Sequence, residues 1–152
     1  MRPPDGWPAP SFLWRHSLRH KTASGATGIR PPDEIVARQR VADRYAAALR
    51  DVAIVPRVEP DRTSVWAQYT IRLPGRDRNA IAARLGAAGV PTATHYPKPV
   101  HQQTAYRGFP VAGNGLPVSE RLATEVLSLP MHPYLDEVSQ DRVVAELRAA
   151  LA

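Results

Sequence analysis

The sequence predicts an α+β domain in which helices cover one face of a small, mostly antiparallel sheet. Three observations lead there: an amphipathic helical pattern opens at Asp33, an alternating run rich in β-formers follows at residues 65–73, and a helical stripe closes the chain after the short apolar segment LSLP. The 152 residues are the usual size of one domain. At 43% hydrophobic and 22% charged residues, the composition suits a chain that buries a core rather than a disordered one.

From Asp33 onward, Ile35, Ala42, Tyr45, Ala46 and Leu49 recur at helical spacing, with Arg38, Arg40, Asp43 and Arg44 between them. Acids at its start favour the positive end of the helix. DVAIVP at residues 51–56 is too short for a helix and long enough for a buried strand. In VWAQYTIRL, Val65, Ala67, Tyr69 and Ile71 fall on one face, with Trp66, Gln68, Thr70 and Arg72 on the other, which is the pattern of a half-buried strand. Asp77 can cap a helix that carries Ile81, Leu85 and Ala88 on one face, and Gly89 ends it in a left-handed cap before Pro91 and a further short strand.

The stretch VPTATHYPKPVHQQTAYRGFP is too rich in proline for a regular element beyond its first residues, so it should cross the surface as a long ordered loop. Next come a helix from about Ser119 to Val126, the strand LSLP, a turn at MHPYL, and a last helix with Val143, Leu147 and Leu151 on one stripe. The order is α-β-β-α-β-loop-α-β-α.

Residues 1–32 show neither periodicity, and Pro-Pro pairs bracket them, so they read as an irregular basic extension apart from a domain spanning residues 33–152. Arg2, Arg15, Arg19, Lys21 and Arg30 face only Asp5, which places most of the net charge of +6 in this segment. Such a tail can touch nucleic acid or an anionic surface, but no binding fold or aromatic platform accompanies it, and nucleic acid is not the expected partner. Its prolines would break the amphipathic helix of a transit peptide. No apolar run approaches the roughly 18 residues that span a bilayer. The absence of cysteine excludes disulfides, thiol catalysis and cysteine zinc sites, and is compatible with a cytoplasmic protein.

Chemistry-bearing side chains concentrate in the proline-rich loop: His95, Tyr96, Lys98, His101, Gln102, Gln103 and Tyr106. Prolines lower the entropy cost of holding such groups in place. Imidazole, phenol and carboxamide groups both donate and accept hydrogen bonds, which suits a polyhydroxylated ligand. No carboxylate or cysteine stands at ligand spacing from His95, His101 and His132, so no metal centre is expected. SGATG at residues 24–28 lacks the lysine spacing and preceding strand of a phosphate loop, and no serine sits in a G-x-S-x-G elbow.

Three blocks, VWAQYTIRLPGRDR, GVPTATHYPKPVHQQTAYRGFP and ERLATEVLSLPMHPYL, occur in an order and spacing that resembles the small domain of the DegT/StrS (DnrJ) family of sugar aminotransferases. The resemblance runs from about Asp33 to the end of the chain. It implies the small domain of a fold type I aminotransferase, which folds back over a large domain holding pyridoxal phosphate. It further implies transfer of an amino group from glutamate to a keto group on a nucleotide-linked sugar or cyclitol, in a homodimer, as in the building of polysaccharides. The HYP segment lies on the substrate side in such enzymes, so the resemblance makes His95 and Tyr96 sugar contacts, with Lys98 and His101 as further candidates.

Transamination needs a lysine for the Schiff base and an aspartate for the pyridinium nitrogen. In the family both belong to the large domain. The two lysines here, Lys21 and Lys98, do not stand where the family's catalytic lysine lies, and the G-N-x-R-L-x-E stretch that precedes the first helix is replaced by the irregular segment. No catalytic or cofactor-binding residue is therefore expected. A frameshift or truncation would look like this, and so would a short protein keeping the small domain as a non-catalytic binding module whose tail contacts nucleic acid or a protein. A small domain without its large partner should leave apolar groups exposed, with Tyr45, Tyr106, Phe109 and Tyr134 as the candidate aromatics.

Overall fold

The structure is a computed structural model and describes residues 31–152. It contains α1 (Pro31–Leu49), β1 (Tyr69–Arg72), α2 (Arg78–Ala87), a 3-10 turn (Val100–Gln102), α3 (Pro117–Glu125), β2 (Val126–Leu129) and α4 (Glu137–Leu151). Of the extension expected over residues 1–32, residues 1–30 lie outside the described residues, while Pro31 and Pro32 belong to α1. Helix α1 starts at Pro31, because a helix's first turn has no use for the N–H that proline lacks and its fixed φ suits the helix. No helix among the described residues is long and apolar enough to cross a membrane.

Helix α2 follows its sequence signals at both ends. The Asp77 carboxylate accepts from the backbone N–H groups of Asn79 and Ala80. At the other end Gly89 sits at φ +76°, its N–H donates to Gly86 and that of Val90 to Leu85, the paired bonds of a Schellman motif. Val90 and Leu85 then meet in the core.

Strands β1 and β2 pair antiparallel, with Tyr69 opposite Leu129 and Ile71 opposite Leu127. These four residues are buried on the core face. The opposite face carries Thr70 against Ser128, hydroxyls 2.8 Å apart, and Arg72 beside Glu125 at 2.8 Å. Single bridges extend the sheet on both edges, Ile54 to Arg72 and Ala93 to Ser128, both antiparallel.

Three expectations need correction. The run at residues 65–73 is a strand only from Tyr69, and its alternation reverses before that: Trp66 is buried while Val65 and Ala67 are exposed. The cause is a positive φ of 47° at Trp66, held by Arg38 Nη1 donating to its carbonyl (3.0 Å) and by its own Nε1–H donating to Gln39 Oε1 (2.7 Å). DVAIVP contributes one bridge rather than a buried strand, since Val52 and Ala53 turn back to the Leu49 carbonyl. Tyr45, expected at an exposed face, is fully buried, with its ring 5.1 Å from Tyr69 and its hydroxyl donating to the Pro130 carbonyl. Tyr106, Phe109 and Tyr134 are exposed as expected.

The core lies between the sheet's inner face and the helices, α4 packing against both α1 and α2, with Leu49, Leu85 and Leu147 fully buried. Arginine does more here than decorate the surface. Each helix leaves orphan carbonyls at its negative end, and in all four helices among the described residues an arginine from another segment reaches them. Arg148 donates to Ala48 at the end of α1 and Arg142 to Ala88 after α2. Arg78 reaches Ala123 in α3, and Arg76 and Arg84 reach Leu151 and Ala150 in α4. Helices α1 and α3 have no basic residue in their own last turn, so these contacts supply the missing cation.

Candidate functional site

The proline-rich loop and α3 enclose a groove of about 600 Å³. The loop's base is pinned twice. Ala93 exchanges two backbone hydrogen bonds with Ser128 of β2 (3.1 and 2.7 Å). Beside it, the Arg78 guanidinium donates to the Thr94 hydroxyl and to the carbonyls of Ala123 and Val126. Arg78 is buried, at 7% exposure, and so ties the start of α2, the end of α3 and the residue before His95 into one unit.

Beyond that anchor the chain enters a strained geometry. Tyr96 has φ +63°, which for a bulky residue costs on the order of 1–3 kcal/mol. The residue is 78% exposed, so packing of its own ring does not repay the strain. The pinned base on one side and Pro97 on the other hold it. Past the 3-10 turn, Gln103 Nε2 donates to the Lys98 carbonyl, and its own carbonyl accepts from the N–H groups of Tyr106 and Arg107. A bond from Phe109 N–H to the Tyr106 carbonyl closes the next turn.

His101 Nε2 lies 2.8 Å from the Glu120 carboxylate of α3, its imidazole largely covered. That hydrogen bond, more than the opposing desolvation, holds the Glu120 carboxyl below the usual range. The pair fastens the middle of the loop to the helix.

Of the residues singled out in the sequence, His95, Tyr96 and His101 line the groove, joined by Tyr106 and Phe109. Lys98 is exposed on the loop and is not part of the lining. His132 stands in the turn before α4, away from the lining; burial first, and the Arg38 charge second, push its imidazole below the usual value. Among the described residues no three His, Cys, Asp or Glu side chains gather as a metal set would.

Pyridoxal phosphate, which the family implies, needs an amine for its aldehyde and a carboxylate for its ring nitrogen. The lining consists of histidine, tyrosine, phenylalanine, serine, proline and aliphatic side chains. It presents neither lysine nor carboxylate, so this lining does not fit that group. Lys21 lies outside the described residues.

Sequence reasoning missed Arg78 and Glu120. Arg78 had a signal, a cation in the first turn of a helix where the dipole disfavours it, which points to a tertiary partner. Glu120 had none, because its partner lies 19 residues away across a loop without periodicity.

The profile of the DegT/DnrJ/EryC1/StrS aminotransferase family matches residues 29–148. The chain is 46% identical over 116 residues to the UDP-2-acetamido-2-deoxy-3-oxo-D-glucuronate aminotransferase of Pseudomonas aeruginosa, covering 76% of this chain and 31% of that protein. It is 36% identical over 113 residues to a dTDP-3-amino-3,4,6-trideoxy-alpha-D-glucose transaminase of Streptomyces venezuelae, covering 73% and 29%. Among solved structures, a DegT DnrJ EryC1 StrS aminotransferase from Brucella abortus superposes with a TM-score of 0.74 at 47% identity, covering 79% of this chain and 32% of that one. S. venezuelae DesV, solved in complex with a ketimine intermediate, gives 0.71 at 33% identity, covering 78% and 32%. The chain thus spans about a third of the length of its relatives. With four fifths of its residues inside the family profile and the same fold in the solved relatives, this chain belongs to the DegT/DnrJ/EryC1/StrS aminotransferase family.

Proposed function

We infer that residues 33–152 serve as the substrate-side small domain of a pyridoxal-phosphate-dependent aminotransferase, which moves an amino group from glutamate to a keto group on a nucleotide-linked sugar or cyclitol. The basic segment 1–30 is an extension of that domain. The observation that carries this reading is the groove itself: an exposed tyrosine held at positive φ between pinned neighbours, with two imidazoles beside it. Strain of that kind persists where the surroundings over-determine it, and it clusters at ligand sites.

His95 and Tyr96 take the sugar hydroxyls, since both groups donate and accept. His101, engaged by Glu120, holds the loop against α3 as well as facing the groove. Lys98 contributes charge from the loop surface. A large domain supplies the cofactor lysine and the pyridinium partner, and the working unit is a homodimer in the cytoplasm that provides amino sugars for polysaccharides. The relatives named for UDP- and dTDP-linked sugars support this substrate class.

The reading is tested by titrating the chain with a UDP-linked hexose under NMR observation. Shifts should concentrate on residues 93–103, and Tyr96→Ala should weaken binding about tenfold, as loss of a well-placed hydrogen-bonding anchor does. Binding insensitive to both His95→Ala and Tyr96→Ala would overturn it.

A further inference from the structure

Asparagine occurs at only two positions in this chain, Asn79 and Asn114. Their surroundings differ in the features that decide whether an asparagine keeps its amide. Asparagine is thermolabile because the backbone nitrogen of the next residue can attack its side-chain amide carbon. The five-membered imide that forms then reopens with water. Such a reaction needs an unhindered following nitrogen, a backbone free to bring it onto the side chain, and access of water.

Asn114 has all three. It lies between Gly113 and Gly115 in the segment that joins the proline-rich loop to α3, and residues 111–115 are exposed. Gly115 has no side chain to shield its nitrogen, and it stands at φ +114°, which glycine adopts without strain. A Cβ added to either glycine would meet nothing within 4 Å, so no neighbour packs on the turn. The Gly115 N–H donates to the Ala112 carbonyl at 3.4 Å. That is longer than the usual span of about 2.7–3.2 Å, so freeing the nitrogen costs little. The Asn114 carboxamide has no hydrogen-bond partner among the described residues.

Asn79 is the reverse case. It sits in the first turn of α2, where the Asp77 carboxylate accepts from its N–H and from that of Ala80, the nitrogen that would attack. Helical backbone angles keep that nitrogen turned away from the Asn79 side chain, and the Ala80 methyl crowds it.

We propose that Asn114 is a site of self-modification, cyclising onto Gly115 and reopening as aspartate and isoaspartate. The new bond joins the Gly115 nitrogen to Asn114 Cγ, and the side-chain nitrogen leaves as ammonia, taking the Gly115 amide proton. Water then adds to one of the two imide carbonyls. Addition at Cγ restores the normal backbone as aspartate, whereas addition at the Asn114 backbone carbonyl routes the chain through the side chain as isoaspartate. Either product gives residues 95–116, which hold Lys98 and Arg107 and no acid, their first carboxylate. It lowers the net charge from +6 to +5, the loss of one unit. Isoaspartate also lengthens the backbone by a methylene two residues before Leu116, which lines the groove and precedes α3. Conversion therefore displaces the groove's rim as the chain ages.

The test is to hold the folded 152-residue chain at mildly alkaline pH, where the attacking nitrogen gives up its proton more readily, and to map tryptic peptides over time. The peptide of residues 108–121 should change from amide to acid at least tenfold faster than Asn79 does, because only Asn114 precedes a glycine. The folded chain should convert within about threefold of the rate in urea, since the turn opens at little cost. Isoaspartate, detected by methyl transfer from a protein isoaspartate methyltransferase, should accompany aspartate. Asn114→Gln, whose longer side chain must close a larger ring, should abolish the acidic form on ion exchange and leave the melting temperature unchanged. In the isoaspartate form the Leu116 methyl signals should shift while those of Leu147 in the core stay in place. Equal rates at Asn114 and Asn79, conversion in urea but not in the folded chain, or aspartate without isoaspartate would each overturn the assignment. Unmoved Leu116 signals in the isoaspartate form would overturn its consequence for the groove.

Discussion

Tyr45 and Tyr69 pack in the core with their rings tilted by 36°, yet their hydroxyls differ. That of Tyr45 donates to the Pro130 carbonyl at 3.1 Å, whereas that of Tyr69 is buried with no hydrogen-bond partner among the described residues. Tyr45→Phe should therefore cost about 1 kcal/mol in urea unfolding, while Tyr69→Phe should be neutral or stabilising, since it removes an unsatisfied buried group. Burial, chiefly, raises both phenols above the ordinary value. In the unfolded chain they lose their protons near pH 10, and in the folded chain they keep them to higher pH. Their contribution is thus fully present below about pH 10 and lost as pH rises beyond it. Stability measured between neutrality and pH 11 should fall at the alkaline end, and each Phe variant should flatten that fall. Helical spacing placed Tyr45 on a face, but which neighbour that face met was not written in the spacing.

At the scale of elements, α2 shows how much local chemistry can decide. Its cap and its stop were both legible, because Asp77 and Gly89 act on backbone groups within four residues of themselves. Gly89→Ala should cost about 1–2 kcal/mol, because φ +76° forces the new Cβ into the left-handed region, 3.3 Å from Arg142 Nη2. A thermal or urea melt reads this directly. The same helix's first residue does work that no local rule contains. Arg78→Met removes the donor that holds Thr94 and the end of α3, leaving carbonyls of Ala123 and Val126 short of a partner. Amide exchange in residues 94–103 should then quicken well beyond any change in global stability, and weaken UDP-sugar binding with it. Unchanged exchange there would mean that the Ala93–Ser128 bonds alone hold the loop. The shortened β1 is the opposite case. Alternation was read across residues 65–73, but two bonds from α1 turn Trp66 to positive φ and reverse the faces upstream of Tyr69.

At the scale of the whole molecule, the groove lining holds no lysine. Incubated with pyridoxal phosphate and then borohydride, the 152-residue chain should show no aldimine absorbance and no stoichiometric adduct, and it should not transaminate glutamate with a keto sugar. Peptide mapping settles the matter, and a full adduct on Lys98 or Lys21 would refute it. Lys98 is exposed on the loop and lies outside the groove lining.

Residue order alone carried the helices after Asp33, the paired strands at Tyr69–Arg72 and Val126–Leu129, the α2 boundaries, the family resemblance and the concentration of polar groups near His95, because periodicity, capping and turn chemistry act over a few residues; the strands expected at DVAIVP and after Gly89 are single bridges. Tertiary structure decided the rest: the burial of Tyr45, the reversal at Trp66, the arginines that close helix ends up to 100 residues away, and the Arg78 and Glu120 anchors that shape the groove. Such contacts depend on which distant carbonyl or imidazole arrives beside a side chain, and that is settled only when the core has brought the elements together.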